Sequence, residues 1–165
     1  MYFGNSSYNN DKRAFYSGRK DSVPSWCPNR YVKDYGPEPY VTNIRDAALC
    51  NNAFRMALWT GEHLQLTLMS INPGDEIGLE MHPDVDQFLR IEQGHGLVMM
   101  GYDKGNLSYR KNIYKDSVIF IPAGTWHNLI NTGGTPIKLY SIYAPPNHPH
   151  GTLHPAKEDE EHMQY

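Results

Sequence analysis

The sequence predicts an all-β fold, a sandwich or barrel of eight or more antiparallel strands, on three observations. Candidate strands recur at close intervals through the middle of the chain, at residues 54–60, 63–71, 86–92, 96–102, 107–113, 117–121, 126–132 and 137–144. Turn chemistry separates them: Thr60-Gly61-Glu62, Asn72-Pro73-Gly74, Asp103-Lys104-Gly105-Asn106 and Gly133-Gly134-Thr135-Pro136. No segment carries a helical apolar period long enough to form a layer of its own. The exception in kind is Asn43 to Cys50, a short helix capped by Asn43 or a turn leading into the first strand.

The chain divides into three parts. Residues 1–42 form an irregular arm rich in Asn, Ser, Gly, Pro and Tyr, including Tyr2, Tyr8, Tyr16, Tyr31, Tyr35 and Tyr40. Its aromatic content exceeds that of a disordered tail, so the arm is expected to pack along the barrel or a neighbouring subunit. Residues 43–145 hold the strands. Residues 146–165 form a tail, first His and Pro, then the acidic run Glu158 to Glu161. At 165 residues the chain fits one domain, and a domain of that size buries roughly 70% of the surface its unfolded chain exposes.

Charge narrows the partners. The chain has 18 acidic and 15 basic residues with no basic block, which argues against nucleic acid or an anionic membrane. The N-terminus has neither the charged nor the apolar region of a signal peptide, and no apolar run approaches a membrane span. Cys27 and Cys50 lack the spacing of a zinc or redox motif, and they read as free thiols in a reducing, cytoplasmic compartment.

Two stretches carry ligand-type residues. In an extended strand Glu80 and His82, two apart, point the same way while Met81 points the other. Pro83 suits a turn or strand end, after which Gln87 opens a new strand with Gln87, Leu89 and Ile91 on one face. The second stretch, Ser117 to Asn131, reads as strand, Pro122-Ala123-Gly124 turn, strand, and His127 supplies a fourth donor. Glu80, His82, Gln87 and His127 are the candidate ligands of one divalent metal ion; two imidazoles suit Zn, Fe, Ni or Mn, and the amide and carboxylate oxygens favour the harder of these.

At these positions the sequence resembles the cupins, small metal-binding double-stranded β-helix (jelly-roll) barrels. The first cupin motif is a glycine, His-x-His, a glutamate and a glycine, and Gly74, Glu80, His82, Gln87 and Gly94 stand at its spacings. The second is a glycine, Pro-x-Gly, a histidine and an asparagine, matched by Asp116, Pro122, Gly124, His127 and Asn131. Glu80 replaces a histidine, Gln87 the glutamate and Asp116 a glycine. With two imidazoles, a carboxylate and a neutral amide, the set leaves a divalent ion about one unit of positive charge, as the usual set does, enough for Lewis-acid work.

The resemblance implies a homodimer paired through barrel edges, and a small-molecule substrate or ligand. A first motif reading Glu-Met-His-Pro-Asp, with glutamine as a further ligand, is similar to that of the mannose-6-phosphate isomerase branch, which implies zinc-assisted sugar-phosphate isomerisation. Two histidines and a carboxylate equally suit the Fe(II) facial triad of a non-haem dioxygenase. A non-catalytic binding or assembly barrel is the third reading. Asn131 and Asp116 are expected to serve turn structure. Of Tyr140 and Tyr143, on opposite faces of the last strand, one looks inward; Tyr140 is carried as the candidate substrate-binding residue. Arg90, opposite Gln87 in register, is expected at the surface. His63 and His95 read as exposed, and His148, His150 and His154 as surface histidines.

Overall fold

The computed structural model describes residue 27 and residues 33–161. A short helix α1 (Ile44–Cys50) precedes eight strands: β1 (Arg55–Thr60), β2 (Gln65–Ile71), β3 (Asp86–Gln93), β4 (His95–Gly101), β5 (Tyr109–Tyr114), β6 (Val118–Ile121), β7 (Trp126–Asn131) and β8 (Ile137–Ala144). A two-residue strand β9 (Leu153–His154) and a helical turn α2 (Glu158–Glu161) follow. The strands form a six-stranded sheet, β6-β3-β8-β2-β1-β9, and a three-stranded sheet, β5-β4-β7, antiparallel throughout. This is the jelly-roll sandwich that the sequence predicts. The segment from Gly74 to Glu80 extends the smaller sheet beyond β7, through main-chain bonds from Ile77 to Leu129 and reciprocally between Glu80 and His127.

Register sorts the interior into layers. Across β2, β8 and β3, Gln65, Tyr143 and Gln87 are aligned; the next inward-facing layer is Thr67, Ser141 and Leu89, and the next Met69, Leu139 and Ile91. Because side chains alternate faces, every second residue of these strands enters the sandwich. Polar groups therefore collect at one end of the interior. The other end is a dry core of Met69, Ile71, Ile91, Val98, Leu129, Ile137 and Leu139, with the rest of an apolar cluster around them. Such packing anchors the polar end on a rigid floor.

The alternate residues face outward, where α1 lies. Met56, Leu58 and Leu68 pack against Ala47 and Ala48, with Tyr35, Tyr40, Leu66 and Tyr140 at the margin. Asn43 caps α1, its side chain accepting from the Asp46 amide. Tyr35 and Tyr40 stack at 4.2 Å; Tyr2, Tyr8, Tyr16 and Tyr31 lie outside the described residues.

Two expectations are corrected. Cys27 and Cys50 are not free thiols: they form a disulfide, with Cα atoms 5.6 Å apart. They stand 23 positions apart in the sequence, and a disulfide withdraws the support that free thiols lent to a reducing compartment. No helix of the described residues is long and apolar enough to cross a membrane. The second correction concerns the tail, which is part of the sheet. Leu153 and His154 pair with Met56 and Arg55, the Phe54 amide bonds to Pro155, and the Ala57 amide to Thr152. The open edge of β1 supplies the unpaired main-chain groups that attract it.

Candidate metal centre

The reciprocal backbone bonds between Glu80 and His127, 3.1 and 2.9 Å, make the two residues direct cross-strand neighbours. His82 lies two residues further on, held by the bond from the Gly124 amide to its carbonyl. One donor atom from each of Glu80, His82 and His127 lies within 4.8 Å of the other two. Gln87 enters from the opposite sheet at the same end: its register partner is Tyr143, whose ring meets that of His82 edge-on at 5.7 Å.

The hydrogen bonds around the site leave acceptors pointing into it. His127 Nδ1 is 2.9 Å from the Thr125 carbonyl oxygen; a carbonyl only accepts, so Nδ1 carries the hydrogen and Nε2 of the neutral ring holds a lone pair. That nitrogen faces Glu80 Oε1, itself an acceptor, at 3.2 Å. His82 Nε2, 3.6 Å from the same oxygen, is buried with no hydrogen-bond partner among the described residues. Gln87 donates its Nε2 to Ser141 Oγ at 3.0 Å, and its Oε1 is buried and without a donor. Buried acceptors turned toward one another are costly unless a cation lies between them. These donors therefore fit a divalent metal ion, with Thr125 and Ser141 fixing the orientation of two of them.

Electrostatics agree. Burial alone would raise the Glu80 carboxyl, but in the metal-free protein the neighbouring imidazoles of His127 and His82, when a proton sits on the nitrogen facing it, and the nearby charge of Arg55 hold it well below the usual carboxylate range. It is an anion at neutral pH. Glu80 and His82 retain partial exposure, 20% and 13% of their side chains, whereas His127 keeps 2%; the site is reached from the Glu80–His82 side.

Tyr140 is elsewhere. It pairs with Leu68 and Arg90 on the outward face, near Phe88 and the α1 cluster. Tyr143, three residues on and of opposite parity, is the inward phenol and is fully buried. Arg90 is on the outer surface as expected, 3.0 Å from Asp116. Asn131 serves turn structure: it donates to the carbonyls of Ile71 and Thr135 and accepts from the Gly133 amide. His63 and His95 are exposed.

The histidines 148, 150 and 154 do not cluster as one site. His150 contacts the Gly36 carbonyl near Asp34, and His154 sits on β9 beside Arg55. His148 reaches the interior, its ring 5.0 Å from that of Tyr143 and its Nε2 3.0 Å from an Arg55 guanidinium nitrogen. That same nitrogen donates to the Tyr143 hydroxyl. Sequence reading missed Arg55 and misplaced His148. A cationic residue in the otherwise apolar run Phe54 to Trp59 was the available signal for Arg55; nothing local marks His148, whose place depends on Gln65 binding the Asn147–His148 backbone.

Comparison with known proteins agrees with this architecture. A family model described as a cupin domain matches residues 67–143. The uncharacterized protein YrkC of Bacillus subtilis (strain 168) is 64% identical over 131 residues, which cover 79% of this chain and 70% of that one. The uncharacterized protein L612 of Acanthamoeba polyphaga mimivirus is 42% identical over 116 residues, covering 69% and 70%. The crystal structure of BH2720 from Bacillus halodurans superposes with a TM-score of 0.79 at 58% identity, covering 80% of this chain and all of that one.

Proposed function

The chain belongs to the cupin superfamily, and from that premise we propose that it is a metal-dependent enzyme acting on a small oxygen-bearing substrate. Glu80, His82, Gln87 and His127 would hold the divalent ion, with open positions on the partly exposed Glu80–His82 side. The observation that carries the reading is the grouping of donor atoms of Glu80, His82 and His127 within 4.8 Å of one another, with His82 Nε2 and, on the facing sheet, Gln87 Oε1 buried and without a hydrogen-bond partner among the described residues. A divalent ion there would polarise a substrate carbonyl or hydroxyl. The isomerase-like reading needs only that polarisation and a proton carrier. A second reading, oxygen chemistry at Fe(II), is favoured by the Glu80, His82 and His127 grouping, which has the composition of a facial triad.

The test is elemental analysis of untagged protein, comparing wild type with His82→Ala. About one equivalent of metal in wild type, lost in a folded His82→Ala, supports the site; zinc or manganese directs screening to isomerisation of hydroxycarbonyl compounds, and iron to oxygen uptake. Wild type that stays metal-free after incubation with each of these ions refutes the enzyme reading and leaves a binding or assembly barrel. We also propose a homodimer, supported by the exposed Val118 and Phe120 on the edge strand β6.

A further inference from the structure

The inner face of the smaller sheet has a cavity of about 220 Å³, with Met100, Tyr102, Ser108, Tyr109, Pro122 and Thr125 in its walls. Register fixes its place. Met100 is paired with Tyr109 of β5 on one side and with His127 of β7 on the other, and directly opposed residues of a sheet share a face. His127 faces inward, its ring 5.6 Å from that of His82, so Met100 and Tyr109 face inward too. Adjacent strands lie about 4.8 Å apart, so the row Tyr109, Met100, His127 crosses about 10 Å of sheet and ends at a candidate metal ligand. Thr125 joins the two from the side: it lines the cavity, and its carbonyl oxygen accepts the Nδ1 hydrogen of His127. The cavity is open to solvent. Tyr102 is 83% and Tyr109 51% exposed at its rim, and Ser108 and Pro122 are exposed as well. Met100, half-buried and packed against the apolar core, lies deeper.

We propose that this cavity is the ring subsite of the metal centre, and that the ligand is a small aromatic compound whose ring carries the oxygen presented to the metal. Volume sets the scale: a cavity of about 150 Å³ holds one benzene molecule, so this one takes a single six-membered ring with a substituent. Chemistry sets the type. A tyrosine ring and a methionine thioether both attract an aromatic ring, the first edge-on or offset-stacked, the second through its polarisable sulfur. A sugar of the same size needs hydrogen-bond partners around its whole edge, since each hydroxyl left unpaired on leaving water is costly. The walls are poor in such partners: the Thr125 hydroxyl is itself buried, which leaves Ser108 and the tips of the two tyrosines. The inference rests on the metal reading for the placement of the ligand oxygen; the ring subsite stands on the register and the cavity.

The test is isothermal titration calorimetry with phenol, cyclohexanol and catechol. Metal-loaded and chelator-treated protein are titrated in parallel, with metal content and Tm recorded for each variant. Phenol is expected to bind both forms at least about threefold tighter than cyclohexanol, to weaken about threefold to tenfold in Tyr109→Ala, and to be unchanged in Tyr114→Ala. Tyr114 is the control because it stands exposed on the same strand at opposite parity, paired with His95. Catechol, whose adjacent oxygens ligate a metal, is expected to bind the loaded form more tightly than the treated one and to weaken in Tyr109→Ala as phenol does. Equal affinity for phenol and cyclohexanol, or a folded Tyr109→Ala that binds phenol as wild type does, would overturn the subsite. A catechol gain with metal that ignores Tyr109 would overturn it with the metal reading left standing. Tyr109-dependent phenol binding by protein that takes up no metal would support the subsite while the metal reading falls.

Discussion

Asp116 has a φ of 70° and is the one non-glycine residue with positive φ among the described residues. The cupin motif has glycine here, and the reason is now physical: the chain turns through the left-handed region between β5 and β6, and the Asp116 amide must reach the Ile91 carbonyl at 2.8 Å. Aspartate tolerates that region better than most side chains. Its bond to Arg90, at 3.0 Å between two exposed side chains, is screened by water and adds little. Asp116→Gly should therefore stay within about 0.5 kcal/mol of wild type, and Asp116→Ala should lose about 1 kcal/mol. Urea unfolding measures both; equal losses would transfer the effect to the Arg90 contact. At this scale the motif spacing was legible and its substitutions were not obstacles, because Glu80 and Gln87 still present oxygen acceptors where the usual residues would place their donors. What the spacing could not show is which side chain a neighbour restrains, as Ser141 restrains Gln87.

The segment from Pro145 to Pro155 is the element whose role changed most between sequence and structure. Its prolines and scattered histidines carry no period, so the text gives no sign that it closes the polar end of the barrel. Gln65 holds it from within, accepting from the His148 amide and donating to the His148 carbonyl, both at 2.9 Å. Asp34 holds it from outside, accepting from the Gly151 amide at 3.1 Å. Its stability is linked to pH through His148. The unfolded residue titrates near its ordinary 6.5 and the folded one at about 3. Between those values the unfolded state binds more protons, so the contribution is complete above about 6.5 and is lost as pH falls toward 3. Asp34, also lowered, acts only below its ordinary 3.8. His148→Gln should thus flatten the decline of Tm between about pH 6 and 4, with little change at pH 7.5. An unaltered slope would mean that other groups set the acid limit.

Over the whole molecule, eight strands were legible because alternation and turn chemistry repeat, and their observed boundaries lie within a few residues of those read from sequence. The disulfide and the ninth strand were not, since each depends on which distant segments the closed sandwich brings together. The outer face also has a consequence for assembly. Phe120 is 68% and Val118 48% exposed on the edge strand, and Phe120 lies 5.2 Å from Phe88. Contiguous apolar residues on an open edge favour a second copy. Phe120→Asp should convert a dimer to a monomer in light scattering at micromolar concentration without altering metal content; a monomeric wild type would contradict the homodimer. Inside the sandwich, at its polar end, Glu80, His82 and His127 bring their donor atoms within 4.8 Å of one another, and Gln87 enters from the larger sheet. The most direct measurement is an anomalous difference map at the absorption edge of whichever metal copurifies. The account predicts one peak within coordination distance of Glu80 Oε1, His82 Nε2, Gln87 Oε1 and His127 Nε2. A peak at the 148–154 histidines instead, or none in protein shown to carry metal, would contradict it.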